Sequence, residues 1–243
     1  MINILIPMAG LGSRFSKSVY QVPKPLISIN GKPMIQLVIE NLRPREDHRF
    51  IFVCQEEHLA LYNLKDILHS VTEFPEIISV NKVTEGPACT ALLSKIFINN
   101  DEELMIANCD QYIEISIDEY LFKIRENKYD GCIMTMSSND PKWSYVKFNQ
   151  LGLVTEVAEK VVISNEATVG IYNFSKGKDF VNCAEKMIFD NERVNNEFYV
   201  APVYNYMIRN SKDIGFLNIG SERNGMYGLG VPEDLDFFIK SKC

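Results

Sequence analysis

Residues 3–42, NILIPMAGLGSRFSKSVYQVPKPLISINGKPMIQLVIENL, carry the pattern on which the fold turns. Asn3 to Met8 is a short apolar run rich in Ile and Leu that stops at Gly10, as a buried parallel strand followed by a turn would. After a polar loop, Pro33 to Leu42 spaces its apolar residues at helical intervals with Pro near the start. The alternation continues downstream with FIFVC (50–54), EIISV (76–80) and ELMIANC (103–109) as strands. Helices are predicted over Glu56 to Leu68, Ala88 to Phe97 and Ile117 to Glu126. Repeated strand–helix units imply a parallel sheet with helices on both faces.

From Gly131 the texture changes. CIMTMS (132–137), SYVKF (144–148), LVTEV (153–157) and TVGIYNF (168–174) are closely spaced strands, with Asn149, Gln150 and Gly152 as a turn. A helix over Lys178 to Phe189, an irregular stretch around Phe198 to Ile208, the strand DIGFLNI (213–219) and a helix from Pro232 to Lys240 follow. No Ser- or Gly-rich linker and no repeat divides the two textures. The expectation is a single α/β domain with a Rossmann-like mixed sheet flanked by helices, in which residues 1–130 form a nucleotide-sized half and 131–243 extend it.

The 243 residues are 46% hydrophobic and 23% charged, which excludes disorder and fibrous repeats and leaves room for a large core. A net charge of −7 argues against a nucleic-acid partner or an anionic membrane surface, so any phosphate would be held by a few placed cations. The six cysteines form no C-x-x-C pair and read as small core residues in a reducing compartment. MINILIPMAG has no basic region, and its apolar stretch is too short for a signal peptide or a membrane span. A cytoplasmic location is expected. No signal for an oligomeric state is present.

The strand end Met8-Ala9-Gly10-Leu11-Gly12 lets bare backbone approach a ligand at the carboxyl end of the sheet, or it makes a tight turn. A dinucleotide site would want a small residue where Phe15 stands, and the Gly-Lys-Ser/Thr of a P-loop is absent. The loop instead carries Arg14 and Lys24, and Lys24 is clamped between Pro23 and Pro25, which lowers the entropy cost of holding its ammonium against a polyphosphate. The alternative is that Arg14, Lys17 and Lys24 are a solvated charge cluster. Asp110, after the apolar strand in Asn108-Cys109-Asp110, is a candidate Mg²⁺ ligand or a turn cap. His48, His58 and His69 are given no role.

Met8-Ala9-Gly10-Leu11-Gly12-Ser13-Arg14-Phe15, then Pro23-Lys24-Pro25-Leu26 and Gly31-Lys32-Pro33-Met34, resembles the signature of the sugar-phosphate nucleotidyltransferase family, and weaker similarity extends over nearly the whole chain. The resemblance implies Mg²⁺-dependent transfer of a nucleoside monophosphate from an NTP to a phosphorylated acceptor, with release of pyrophosphate. It gives the nucleotide to Met8, Ala9, Gly10, Leu11 and Gly12, the triphosphate to Arg14 and Lys24, and the metal to Asp110. Arg14, Lys24 and Asp110 are then the catalytic set. The turn Thr84-Glu85-Gly86-Pro87-Ala88 resembles the family's base-contacting turn, which brings in Glu85, Gly86 and Ala88. The acceptor falls to Glu159, with its phosphate on Lys160 and with Gly170, Tyr172 and Tyr199 nearby. Without the resemblance, a Glu-Lys pair after a strand is a solvated end and the aromatic run 197–204 is core.

One departure stands out. Where many members place a second metal-binding Asp, this chain has Gly228. Either Glu233 or Asp234 substitutes, Asp234 being the metal candidate, or both only favour the N-terminus of the last helix by their charge. VPKPLISINGKPMIQ, YGLGVPEDL and EFYVAPVYN resemble the cytidylyltransferase-like members from bacterial capsule loci, which implies CTP as donor and a phosphorylated small metabolite, L-glutamine phosphate, as acceptor. A sugar 1-phosphate or phosphocholine is the alternative acceptor. A glycosyltransferase would carry Asp-x-Asp where Asn108-Cys109-Asp110 stands, and a silent nucleotide-binding module would tolerate loss of Lys24.

Overall fold

Strand β1 (Ile2–Met8) alternates its side chains between two cores. Ile2, Ile4, Ile6 and Met8 enter one, and Leu5 enters the other. A strand buried on both faces must be covered by helices on both, and this requirement organises the computed structural model, which describes residues 1–10, 15 and 22–242. In chain order β1 is followed by a 3-10 turn at Lys24–Leu26, β2 (Ser28–Ile29), β3 (Lys32–Pro33), α1 (Met34–Leu42), β4 (His48–Gln55), α2 (Glu56–Leu61), α3 (Leu64–Val71) and β5 (Glu76–Val80). Next come α4 (Pro87–Leu92), α5 (Lys95–Ile98), β6 (Glu103–Ala107), β7 (Gln111–Ile113), α6 (Ile117–Glu126) and β8 (Gly131–Ser137). The chain continues through β9 (Ser144–Phe148), β10 (Val154–Glu159), β11 (Glu166–Phe174), α7 (Gly177–Phe189), α8 (Val203–Arg209), β12 (Ile214–Glu222), β13 (Gly225–Gly228) and α9 (Pro232–Lys242).

Among the described residues one eleven-stranded sheet runs β5-β4-β1-β6-β11-β8-β12-β13-β7, with β9 and β10 attached beside β11. The strands β5, β4, β1 and β6 are parallel, and β11 then enters antiparallel to both β6 and β8. The expected single-domain mixed sheet is therefore the observed one. Helices α1, α3, α6 and α9 cover one face, contributing Val38, Leu68, Tyr120 and Phe238. Helices α4, α5, α7 and α8 cover the other with Ala91, Ile98, Phe180 and Tyr204.

Four local expectations are corrected. The helix expected over 56–68 breaks at Asn63, whose φ of 56° is left-handed and ends the turn. The one over 88–97 breaks at Ser94, whose hydroxyl donates to the Ala91 carbonyl at 2.6 Å. The irregular stretch around 198–208 contains α8, whose aromatics Tyr204 and Tyr206 are buried. Strands β7 and β13 are additions, each too short to show periodicity alone and defined by pairing Met226 with Ile113.

Candidate active site

The 3-10 turn holds Lys24 in place. Pro23 has φ −53° and ψ 143°, its carbonyl accepts from the Leu26 amide at 2.8 Å, and Pro25 is buried. From there the Lys24 ammonium donates to Asp110 Oδ2 at 2.7 Å, both side chains being about one fifth exposed (21% and 20%). Asp110 sits just past the carboxyl end of β6, where open α/β sheets bind ligands. Its carbonyl accepts from the Leu229 amide at 2.7 Å. A Cβ on Gly230 would lie 2.4 Å from Asp110 Oδ2, so the carboxylate occupies space that a side chain at 230 would fill.

Asp110 opens onto a cleft of about 380 Å³ that Asn108, Gln111, Lys142, Trp143 and Asp234 also line. A Cβ on Gly228 would stand 3.6 Å from Asp234 Oδ2, so the Asp234 carboxylate lies beside position 228. Its Oδ1 accepts from Arg223 at 2.8 Å, and its charge also stands in the first turn of α9. Among the described residues no cluster of three or more His, Cys, Asp or Glu could hold a metal by itself. A larger cleft of about 530 Å³, lined in part by Arg43, His48 and His69, includes the first residue of β4, at the amino end of that parallel strand.

Gly170 has φ +80°, and a Cβ there would meet Asn108 Nδ2 at 2.2 Å and Gln111 Oε1 at 2.4 Å. It is a bare platform under two cleft-lining amides. Gln111 Oε1 and Trp143 Nε1 are buried and have no hydrogen-bond partner among the described residues. Tyr172 is only 7% exposed and its hydroxyl lies 3.0 Å from Thr168 Oγ1, which makes it a core wall. Burial raises its phenol pKa.

Glu159 ends β10 with 7% exposure and accepts from the Ser144 hydroxyl. Burial pushes its carboxyl pKa up, against the opposing effects of Ser144 and Lys160. Lys160 follows in the left-handed region at φ 57°, a conformation that costs a non-glycine residue about 1–2 kcal/mol. Its ammonium donates to the Tyr199 hydroxyl at 2.6 Å and lies 4.5 Å from that ring's centre, and Tyr199 in turn donates to Glu197.

The turn 84–88 is tied to Phe198. The Phe198 amide donates to the Glu85 carbonyl at 2.8 Å, and the Ala88 amide donates to the Phe198 carbonyl at 2.9 Å. Gly86 has φ +126°, and a Cβ there would lie 2.5 Å from the Phe198 carbonyl oxygen. Thus Ala88, fully buried, directs its amide at Phe198. Met8 and Ala9 put buried side chains into the two cores, and the Ala9 carbonyl accepts from Gln55. A Cβ on Gly10 would meet nothing within 4 Å among the described residues. Leu11, Gly12 and Arg14 lie outside the described residues. Lys142, Trp143, Asn108 and Gln111 were not singled out as site residues by sequence reasoning; the single Trp in a charged loop was the one available signal.

A family model described as nucleotidyl transferase matches residues 4–201. The bifunctional protein GlmU of Methanocaldococcus jannaschii is 26% identical over 178 residues, which are 72% of this chain and 40% of that protein. The chain therefore spans about two fifths of that relative's length. The 2-aminoethylphosphonate cytidylyltransferase of Lancefieldella rimae is 52% identical over a stretch of 40 residues, 16% of each protein. The crystal structure of the nucleoside-diphosphate-sugar pyrophosphorylase from Vibrio cholerae RC9 shares the fold, with a TM-score of 0.85 at 23% identity, covering 98% of this chain and 100% of that one.

Proposed function

The chain belongs to the nucleotidyl transferase family, and on that premise we propose that it is a cytidylyltransferase, moving CMP from CTP to L-glutamine phosphate to give CDP-L-glutamine and pyrophosphate. Such a product suits phosphoramidate modification of a capsular polysaccharide. The observation that carries the reading is the meeting of Lys24 and Asp110 at 2.7 Å at the carboxyl end of the sheet. One restrained cation and one carboxylate, 86 positions apart, share a point onto which a metal–triphosphate would fit. The short stretch of high identity to a cytidylyltransferase favours CTP as donor. The acceptor rests on the likeness of YGLGVPEDL and EFYVAPVYN to capsule-locus members, and the amides of Asn108 and Gln111 in the cleft suit a polar acceptor.

An acceptor phosphate oxygen attacks the α-phosphorus in line as the α–β phosphoanhydride bond breaks and pyrophosphate leaves. A phosphate is already largely ionised at neutral pH, so no general base is needed. Lys24 and Arg14 neutralise charge on the α-phosphoryl and the departing pyrophosphate, and Lys160 holds the acceptor phosphate with Tyr199 beside it. Since the Ala88 amide is engaged by Phe198, the base edge falls to the amides of Glu85 and Gly86. Glu159, with Gly170 and Tyr172 as wall, fixes the acceptor's organic part.

The oxygen-only donors Asp110 and Asp234, both on the cleft, fit Mg²⁺, which takes one or two carboxylates and completes its shell with phosphates and water. Asp234 beside position 228 is the second carboxylate in this reading. When bound, the ion would supply charge neutralisation on the triphosphate. Residues 1–130 supply most of the nucleotide contacts and 131–243 most of the acceptor contacts, with Asn108, Gln111 and Asp234 of the shared cleft reaching across that division. The buried free thiols suit a cytoplasmic setting.

The test is a panel of NTPs against phosphorylated acceptors, read as Mg²⁺-dependent pyrophosphate release. CTP with L-glutamine phosphate is expected to turn over. Turnover with glucose 1-phosphate but not L-glutamine phosphate would remove the acceptor assignment, and silence across the panel would remove the enzyme reading.

A further inference from the structure

Arg193 joins two regions that belong to different substrates. Its guanidinium pairs with Glu85 at 2.9 Å and lies 4.3 Å from the centre of the Phe198 ring, which is fully buried. Between these residues the chain makes a tight hairpin. Val194 and Glu197 exchange amide–carbonyl bonds of 3.0 and 2.9 Å, and the central residues Asn195 and Asn196 have φ of 50° and 64°, both positive as a type I′ turn requires. From the hairpin, Phe198 bonds through its main chain to Glu85 and Ala88, while the next residue, Tyr199, receives Lys160. Gly86 leaves no room for slack, since a Cβ there would strike Phe198.

We infer that Arg193 is a positioning residue that couples the two substrate sites, so that CTP bound at the 85–88 turn orders Tyr199 and Lys160 for the acceptor phosphate. This rests on the cytidylyltransferase reading. The strip is held at successive points by an ion pair, a cation over a ring, a two-residue turn and paired main chain. A ligand that stiffens one end therefore stiffens the other, and the second substrate meets a site already ordered. The Arg193–Glu85 pair is partly exposed, at 33% and 63%, so as an ion pair it contributes little to folding and its loss is read in the coupling.

Hydrogen–deuterium exchange on the full chain, with and without CTP and Mg²⁺, tests this. In the wild type CTP is expected to slow exchange across 85–92 and also across 193–200. In Arg193→Ala the first protection stays and the second is lost, with the melting temperature unchanged. The KM for L-glutamine phosphate rises about five- to tenfold at a kcat within about twofold, and Arg193→Lys, which keeps the charge facing Glu85, recovers most of it. Protection of 85–92 without 193–200 in the wild type would overturn the coupling alone. Unchanged protection of 193–200 in Arg193→Ala would do the same. No protection at 85–92 in the wild type would remove the donor site and the coupling together.

Discussion

Lys24 and Asp110 are joined by a hydrogen bond, and the proposed function gives each a different partner, the phosphates for Lys24 and the metal for Asp110. The pair is only about one fifth exposed, so truncating one partner strands the other's charge in a largely buried site, at a cost to folding of about 1–3 kcal/mol, whereas a cation facing a developing phosphoryl charge acts on the barrier itself. Lys24→Ala should thus lower kcat by about 10²–10³, with the melting temperature falling by roughly 2–12 °C and the chain still folded at the assay temperature. Asp110→Asn should lose a similar factor, and the double variant far less than the product, because in the proposed function both act on one triphosphate. A kcat within about threefold of wild type in Lys24→Ala would contradict this. Glu159 makes a second residue-level prediction. Burial raises its pKa in the fold, so between the ordinary carboxylate range and the raised value the native state binds more protons than the unfolded chain, and stability falls as pH rises through that interval. Urea unfolding of Glu159→Gln against wild type between pH 4 and 7 should show wild type losing ground as pH increases. A difference that moves the other way, or not at all, would refute it.

At the scale of elements, the turn before α4 is built around a glycine that nothing else can replace. Gly86 combines φ +126° with a Phe198 carbonyl 2.5 Å from where a Cβ would stand. Gly86→Ala should cost about 1–3 kcal/mol in backbone strain alone. At about 2–4 °C per kcal/mol for a chain of this size, the melting temperature should fall by roughly 2–12 °C. The KM for CTP should rise with it, because the proposed function places the base-facing amides on the displaced turn. Calorimetry and initial rates on the same preparation check both. The elements themselves were unevenly legible. β5 and α6 fall on the residues that periodicity marks, since EIISV is a short apolar run and Ile117 to Glu126 puts Ile117, Tyr120, Leu121 and Ile124 on one face. The break at Asn63 and the helix α8 were not visible, because a left-handed asparagine and a helix rich in buried aromatics are decided by what packs against them. The four-residue β13 depends wholly on its partners in β7 and β12.

At the scale of the molecule, strand-end residues such as Asp110 could be placed from the sequence, because a parallel sheet sends its carboxyl ends to one side. Contacts such as Arg193 with Glu85 could not, since they depend on how a late loop folds back over an early turn. The same tertiary closure determines what the thiols can do. Cys54 and Cys132 are buried and desolvation pushes their pKa up to about 12, while Cys109 and Cys183 are pushed up to about 11. At pH 8 each holds a thiolate fraction of about 10⁻³ or less, and the thiolate is the form that reacts. These four side chains are divided between the helix-covered cores on the two faces of one sheet, so exposing any of them requires opening one of those cores. Iodoacetamide at pH 8 should leave all four unmodified in the native protein and label them together, at one rate, as the chain unfolds globally. Mg²⁺ with CTP at about 100 times its Kd stabilises the native state by about 2.7 kcal/mol, which should slow that labelling about 100-fold if opening is in rapid equilibrium. Peptide mass spectrometry resolves each cysteine. Early labelling of Cys109 alone would mean that the strand end carrying Asp110 opens separately from the rest of the sheet, and a labelling rate indifferent to CTP would mean that the nucleotide does not bind the folded chain.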